Sequence, residues 1–255
     1  ERLESFALSV TALNHFLKDP RTFLAMDLLE TPQTKRSFLV YGNAVHEALR
    51  KWGHSVQQGT PLPCEGFLEA FRTYLREREI LTERERERLQ ALGEEALPRY
   101  FATRLSGAQP IVHKVEGTFR THLRDIPLKG KIDRIDLLHP TSARARVIDF
   151  KTGQIKTERE IRGGLPAGAL GPRSLGEVGL AEAGDYFRQL VFYSVLLEQS
   201  RSILKPEAFV LDFVGEGSSA PTERVFDVTA TDRREMEKLI EAVWAKVLAL
   251  DFTPL

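Results

Sequence analysis

The sequence predicts an α/β protein in which helices flank a central β-sheet and a helical region precedes it. Two observations support this fold class. Residues 1–110 carry apolar side chains at helical spacing, as Val45, Leu49 and Trp52 illustrate. After residue 110, short segments instead alternate apolar and polar residues, as half-buried strands do.

The predicted helices are set by capping residues and by proline. Ser9 is a good N-cap for the first helix, and Asp19-Pro20 ends it, after which Pro20 suits the start of a second. A run of alternating Glu and Arg at 83–88 indicates an exposed helix face. Helices are predicted over 11–17, 21–29, 42–56, 65–79, 82–105, 185–199 and 231–250.

Three of the predicted strands follow one another closely, at 111–123, 128–138 and 144–151. Short turns join them, so we expect an antiparallel meander. Two further strands are predicted at 208–214 and 223–228. Residues 152–184 hold eight of the 18 glycines and are interpreted as a long functional loop, or one with only short local structure.

Composition excludes several classes of protein. The chain has 255 residues, 42% of them hydrophobic, and 36 basic against 36 acidic residues, which excludes a disordered chain. No window approaches the roughly 18 apolar residues of a membrane helix. Cys64 is the one cysteine, so an internal disulfide and a cysteine-rich metal site are excluded. We therefore expect a cytoplasmic protein with no membrane association.

The segment Val147-Ile-Asp-Phe-Lys151 carries the clearest chemistry. Strand alternation places Asp149 and Lys151 on one face, with Ile148 and Phe150 on the other. An acid and a lysine are thus held side by side in an apolar stretch, where burial is costly unless the charges are paired or bind a metal. The alternative is a surface ion pair at a strand edge.

Asp133 lies on the preceding predicted strand. Alternation places it opposite to Ile132 and Arg134, and an antiparallel turn would bring it near Asp149. Two adjacent carboxylates repel unless a cation lies between them, and hard cations such as Mg²⁺ prefer oxygen ligands. The alternative is that Asp133 and Arg134 pair with neighbours on an exposed face, an interpretation that suits Asp136 better.

Three polar residues on predicted helices are further candidates. His46 flanks the apolar stripe of its helix and can point into a pocket beside the core. Gln189 and Tyr193 are one turn apart on an otherwise apolar helix, where their polar tips need partners. The alternatives are a boundary histidine and an aromatic core stripe with an incidental glutamine.

In order along the chain, these residues resemble the motifs of the RecB-type branch of the PD-(D/E)XK nucleases. The resemblance runs from Leu8 to Tyr193. It rests on Ser9-Val-Thr-Ala-Leu, Gly42-Asn-Ala-Val-His46-Glu, Glu116-Gly-Thr-Phe, Gly130-Lys-Ile-Asp-Arg-Ile-Asp136, Asp149-Phe-Lys-Thr-Gly153 and Gln189-x-x-x-Tyr193. It implies a restriction-endonuclease-like core with a mixed sheet at 111–255, and residues 1–110 as the helical part that contributes His46.

The resemblance also implies roles for single residues. Lys151 would orient or activate the attacking water, Gln189 and Tyr193 would position the lysine or the DNA, and Glu116 would be a supporting carboxylate. The implied metal ligands are His46, Asp133, Asp149 and the Phe150 carbonyl. The expected DNA contacts are Lys131, Arg134 and Lys156, which belong to a cluster of twelve Lys and Arg between residues 114 and 162, together with Gln189 and Tyr193.

The implied activity is a Mg²⁺- or Mn²⁺-dependent deoxyribonuclease in DNA repair or recombination, acting as an exonuclease on single-stranded DNA or unwound ends. Asp19 stands where many relatives have a cluster-binding cysteine, so no iron–sulfur cluster is expected. The first residue is Glu1, and we expect a domain of a larger helicase–nuclease, or one with a helicase partner. The alternatives are an inactive DNA- or helicase-binding module, a free-standing exonuclease of the CRISPR-adaptation type, and an unrelated metal-binding protein.

Overall fold

The computed structural model describes residues 2–32, 37–164, 179–214 and 222–255. The predicted loop over 152–184 lies partly outside these ranges, and its described part includes a short helix. Within them the helices are α1 (Arg2–Ser5), α2 (Val10–Lys18), α3 (Pro20–Phe23), α4 (Ser37–Gln57), α5 (Cys64–Glu77), α6 (Glu83–Tyr100), α7 (Glu158–Ile161), α8 (Asp185–Gln199) and α9 (Ala230–Leu248). The strands are β1 (Ile111–Leu123), β2 (Ile126–Leu137), β3 (Arg144–Lys151), β4 (Lys205–Phe213) and β5 (Glu223–Phe226). Single π-helical turns at Leu24–Leu28 and Phe101–Leu105 continue α3 and α6.

The five strands form one mixed sheet in the order β1-β2-β3-β4-β5. The first three pair antiparallel, so the predicted meander is confirmed. β4 then pairs parallel to β3, and β5 pairs antiparallel to β4. The chain between β3 and β4 includes α8, which packs on the sheet, as parallel pairing requires a crossover.

A hydrophobic core covers each face of the sheet. Helices α2, α8 and α9 supply the first core, where Val147 of β3 is fully buried. Helices α4, α5 and α6 supply the second, which takes Ile148 and Phe150 of the same strand. The strand alternation predicted for β3 is therefore correct. Each such side chain contributes about 1.5–3 kcal/mol by its burial.

The N-terminal segment extends the sheet at one point. Leu8 forms a parallel bridge with Leu128 of β2. Its N–H donates to the Pro127 carbonyl at 2.8 Å, and its carbonyl accepts from the Lys129 N–H at 2.9 Å. Ser9 follows and caps α2 by accepting a hydrogen bond from Ala12 N–H, so this bridge fixes the start of α2 beside β2.

β2 and β3 separate where the candidate site lies. Their ladder ends at the pair of Arg134 and Ile148. Beyond this pair the Phe150 N–H donates to the Asp133 side chain at 2.8 Å. A side-chain carboxylate thus satisfies a strand N–H, and the two strands diverge on either side of a cavity.

The alternation predicted for β2 is wrong at Asp133. Ile132 packs in the first core, whereas the Arg134 guanidinium lies over the Trp52 and Phe150 rings of the second, so these two residues do not share a face. The register on β1 places Glu116 opposite Asp133, and Glu116 has φ +52°. A left-handed residue breaks the two-residue period of β1 here, and β2, which pairs with β1 on both sides of Glu116, reverses at the same point.

Candidate functional site

β3 and α8 build a buried polar network. The Lys151 ammonium lies 2.7 Å from Asp149 Oδ2 and donates to Gln189 Oε1 at 2.6 Å. Gln189 Nε2 lies 2.8 Å from Asp149 Oδ1 and 2.7 Å from the Tyr193 hydroxyl. That hydroxyl donates to the same Asp149 oxygen at 3.0 Å. One turn of α8 therefore contacts both the acid and the lysine of β3, and the polar tips of Gln189 and Tyr193 find their partners there.

A second cluster of ligand atoms joins α4, β1 and β2. His46, Glu116 and Asp133 each offer an atom within 4.8 Å of the others. His46 Nδ1 lies 3.5 Å from Asp133 Oδ1, which is an ion pair when the imidazole is protonated. Glu116 pairs with the Lys131 ammonium. The sheet distortion at Glu116 and Asp133 thus brings together three residues predicted from separate motifs.

A cavity of about 520 Å³ connects the network with this cluster. A second cavity of about 470 Å³ opens on the other side and shares His46, Lys131 and Asp133 with the first. Of the predicted residues, the first cavity is lined by His46, Lys131, Asp133, Asp149, Phe150, Lys151, Gln189 and Tyr193. Glu116 lines the second.

The electrostatics of the two carboxylates differ. Burial and the charge of Asp133 raise the pKa of Asp149, although the Lys151 ammonium opposes this effect. Burial also acts to raise the pKa of Asp133, but His46, the Phe150 N–H and the charge of Lys151 together outweigh it and leave that pKa lowered. Conversely, burial lowers the pKa of Lys151, while Asp149 raises it by more, so the lysine is held charged.

These residues fit a hard divalent cation. Two buried carboxylates on neighbouring strands repel each other, and a cation between them would offset the cost. The imidazole and the carboxylate of Glu116 supply further nitrogen and oxygen ligands, which suit Mg²⁺ and Mn²⁺. Phe150 lines the same cavity, and the role of its carbonyl remains a prediction.

The predicted DNA contacts do not all reach the cavity. Arg134 is 9% exposed and pairs with Asp136 Oδ2 at 3.0 Å, so it stabilises the second core and we do not retain it as a DNA contact. Asp136 thus pairs with a neighbour as the alternative interpretation held, although the pair is buried. Lys156 lines neither cavity, and its ammonium lies 4.4 Å from the centroid of the Tyr186 ring. The Lys151 ammonium lies 4.5 Å from the same centroid.

Sequence reasoning missed a buried arginine that supports the network. Arg188, next to Gln189, donates to the carbonyls of Leu180, Ala181 and Ala183 and to Asn14 Oδ1. It ties the chain before α8 to α2 and so fixes the end of α8 that carries Gln189. An arginine among apolar residues of a predicted helix was the available signal, because a buried charge needs several partners.

The comparisons with known proteins agree with this architecture. A model of the PD-(D/E)XK nuclease superfamily matches residues 7–254. The crystal structure of "Putative exonuclease" from Eubacterium rectale is similar with a TM-score of 0.56 and 17% identity, over 96% of this chain and 81% of that one. None of the curated proteins matches. The family match covers nearly the whole chain, and the chain therefore belongs to the PD-(D/E)XK nuclease superfamily.

Proposed function

We propose that the chain is a Mg²⁺- or Mn²⁺-dependent deoxyribonuclease of the RecB type. It would act as an exonuclease on single-stranded DNA or unwound ends in cytoplasmic DNA repair or recombination, together with a helicase motor. The observation that carries the proposal is the Lys151 ammonium, held 2.7 Å from Asp149 in a cavity that His46 and Asp133 also line. The exonuclease mode is supported by the name of the similar crystal structure.

The residues divide the work of phosphodiester hydrolysis between them. Asp133, Asp149 and His46, with Glu116 beside them, would hold the metal. When bound, the metal supplies positive charge beside the developing negative charge and lowers the pKa of water. Lys151 adds a second positive charge where negative charge accumulates, and it is aimed there by its hydrogen bond to Gln189.

Two lysines outside the buried network are retained as DNA contacts. Lys131 is 59% exposed and lies at the rim shared by both cavities. Lys156 contacts the Tyr186 ring, which the Lys151 ammonium also contacts. Phosphate contacts of this kind set affinity and register and carry no sequence information, which suits a nuclease without sequence preference.

The test is cleavage of end-labelled single-stranded DNA with Mg²⁺, with Mn²⁺ and with EDTA, beside Lys151→Ala. We expect metal-dependent cleavage that falls by about 10²–10³-fold in the variant, the usual effect of removing one charge-stabilising donor. Lys238→Ala on α9 is the matched control, because Lys238 is exposed and lies outside both cavities. The ladder of products also gives the polarity of cleavage.

A second outcome would support a different function. DNA binding without cleavage under either metal would favour an inactive binding module, or a nuclease that needs its motor. Cleavage of the same intensity by the Lys151→Ala variant would contradict the proposed site. A protein that neither binds nor cleaves DNA would contradict the nuclease function as a whole.

A further inference from the structure

A pair of basic residues on the β1–β2 hairpin lines the same cavity. Arg120 of β1 and Lys129 of β2 are directly opposite each other in the register. The Lys129 N–H donates to Leu8, so it is not available to Arg120, and the two form a non-hydrogen-bonded pair. In such pairs the Cα atoms are about 4.5 Å apart and the side chains lie closest.

This pair carries two like charges side by side. Like charges directly opposite each other on a sheet destabilise it. Among the described residues neither side chain has a carboxylate partner within ion-pair distance. Neighbouring Lys131 differs, because its ammonium pairs with Glu116. The charge of Arg120 and Lys129 is therefore available to an anion.

The surrounding contacts hold the pair in place. Leu8 fixes the backbone of Lys129, and the ammonium of Lys129 lies 5.8 Å from the ring centroid of Phe6. The next residue, Gly130, packs against α8 so closely that a Cβ there would lie 2.6 Å from a methyl carbon of Leu196. The hairpin is thus seated on α8, the helix that also positions the catalytic lysine.

The position of the pair matches a strand of DNA that passes through the site. Lys129 precedes Asp133 by four residues on β2, or about 13 Å at 3.3 Å per residue. A stacked strand rises about 3.4 Å per nucleotide, so the pair would meet a phosphate about four nucleotides from the scissile one, or fewer in an extended strand. The cavity that joins the two positions also presents the hydroxyls of Ser9, Thr11 and Thr118.

We propose that Arg120 and Lys129 form a clamp for one non-scissile phosphate of single-stranded DNA. This inference rests on the proposed nuclease function, and it assigns the strand a path from the metal ligands along the β1–β2 hairpin. The clamp positions the strand and does not touch the reacting atoms. Its loss should therefore raise KM for oligonucleotides more than it lowers kcat.

The test uses Arg120→Gln/Lys129→Gln and a series of single-stranded oligonucleotides. Each oligonucleotide carries one neutral methylphosphonate at a different position, and binding is measured in EDTA. The control is Arg234→Gln/Lys238→Gln on α9, which removes the same charge from exposed residues outside the cavity. Thermal unfolding verifies folding, and we expect the clamp variant to unfold at the wild-type temperature or above it, because a repulsion is removed.

We expect one position at which the methylphosphonate weakens wild-type binding but has no effect on the clamp variant. The salt dependence gives an independent readout. One lost phosphate contact lowers the slope of log K against log[salt] by about 0.7, so between 50 and 200 mM salt the wild type should lose about 2.6-fold more affinity than the variant. The control should keep the wild-type slope.

The outcomes separate the clamp from the nuclease. Wild-type cleavage with an unchanged interference profile and salt slope in the clamp variant would overturn the clamp alone. A position-specific loss in a protein that cleaves nothing would support the clamp, while the absence of cleavage would favour an inactive binding module or a nuclease that needs its motor. A wild-type protein that neither binds nor cleaves DNA would overturn both.

Discussion

Replacing Lys151 by methionine should expose how strongly Asp149 depends on its ammonium. Asp149 is 2% exposed, and among the charged groups of the described residues its Oδ2 atom pairs with the Lys151 ammonium alone. Removing one partner of a buried ion pair costs about 3–5 kcal/mol, because the other charge remains buried. For a chain of this size each kcal/mol corresponds to about 2–4 °C in Tm, so Lys151→Met should lower the Tm by about 6–20 °C.

The matched variants are Asp149→Asn and the double variant Asp149→Asn/Lys151→Met. The double variant contains no buried charge at this pair, so its Tm should lie well above that of Lys151→Met. Thermal unfolding followed by circular dichroism in EDTA measures all three. Added Mg²⁺ or Mn²⁺ should then raise the Tm of Lys151→Met more than that of the double variant, because the cation neutralises Asp149.

Two results would refute this reasoning. A Tm for Lys151→Met within about 2 °C of the wild type in EDTA would show that Asp149 does not depend on Lys151. A double variant less stable than Lys151→Met would show that the loss arises from packing of the lysine stem and not from the unpaired carboxylate.

Four further variants test separate parts of the structure. Tyr193→Phe removes one donor to Asp149, a proposed metal ligand, and should lower activity about 10–100-fold in the cleavage assay, with little change in DNA affinity. Arg134→Met leaves a buried carboxylate unpaired and should cost about 3–5 kcal/mol in urea unfolding, while the DNA affinity of the folded protein is unchanged. Glu116→Gly and Glu116→Ala remove the same groups, but only glycine relieves the positive φ, so the glycine variant should be more stable by about 1 kcal/mol. Burial raises the pKa of Asp212 in the folded state, so its stability contribution is present below the unfolded pKa and is lost as the pH rises through the folded pKa. The wild type should therefore lose stability relative to Asp212→Asn from about pH 4 upwards. Urea unfolding at successive pH values measures this difference.

Each of these expectations has a contrary result. Cleavage by Tyr193→Phe at the wild-type rate would show that the Tyr193 hydroxyl has no role in cleavage. Loss of DNA affinity in folded Arg134→Met would restore that residue as a DNA contact. Equal stability of the two Glu116 variants would mean that its backbone carries no strain, and a gain of wild-type stability over Asp212→Asn with rising pH would reverse the assigned direction of that pKa.

The sequence predicted the site best where it follows regular alternation. Asp149 and Lys151 share a face of β3 because the strand is regular up to its end, and Gln189 and Tyr193 share a face of α8 because they are one turn apart. Local geometry alone places each pair on one face of its element. The convergence of the two pairs in one network is a tertiary contact, which only the family resemblance implied.

The features that escaped prediction depend on tertiary pairing. Alternation placed Ile132 and Arg134 on one face, and the left-handed conformation of Glu116 on the neighbouring strand separates them. The bridge of Leu8 to Leu128 and the opposition of Arg120 to Lys129 are matters of register, which the hydrophobic pattern of one strand does not specify when the residues concerned are polar.

The irregularity of the sheet is itself what creates the site. In a regular ladder the edge of β2 between Lys131 and Arg134 would be covered by β3, and backbone hydrogen bonds would occupy the space of the cavity. Here the Asp133 carboxylate accepts from Phe150 N–H, so the strands diverge without leaving this buried donor unsatisfied. The same divergence allows α4 to bring His46 to Asp133 from one core while α8 brings its polar network from the other. A metal bound there would link both cores across the break in the sheet, and its binding should therefore stabilise the two halves of the fold together.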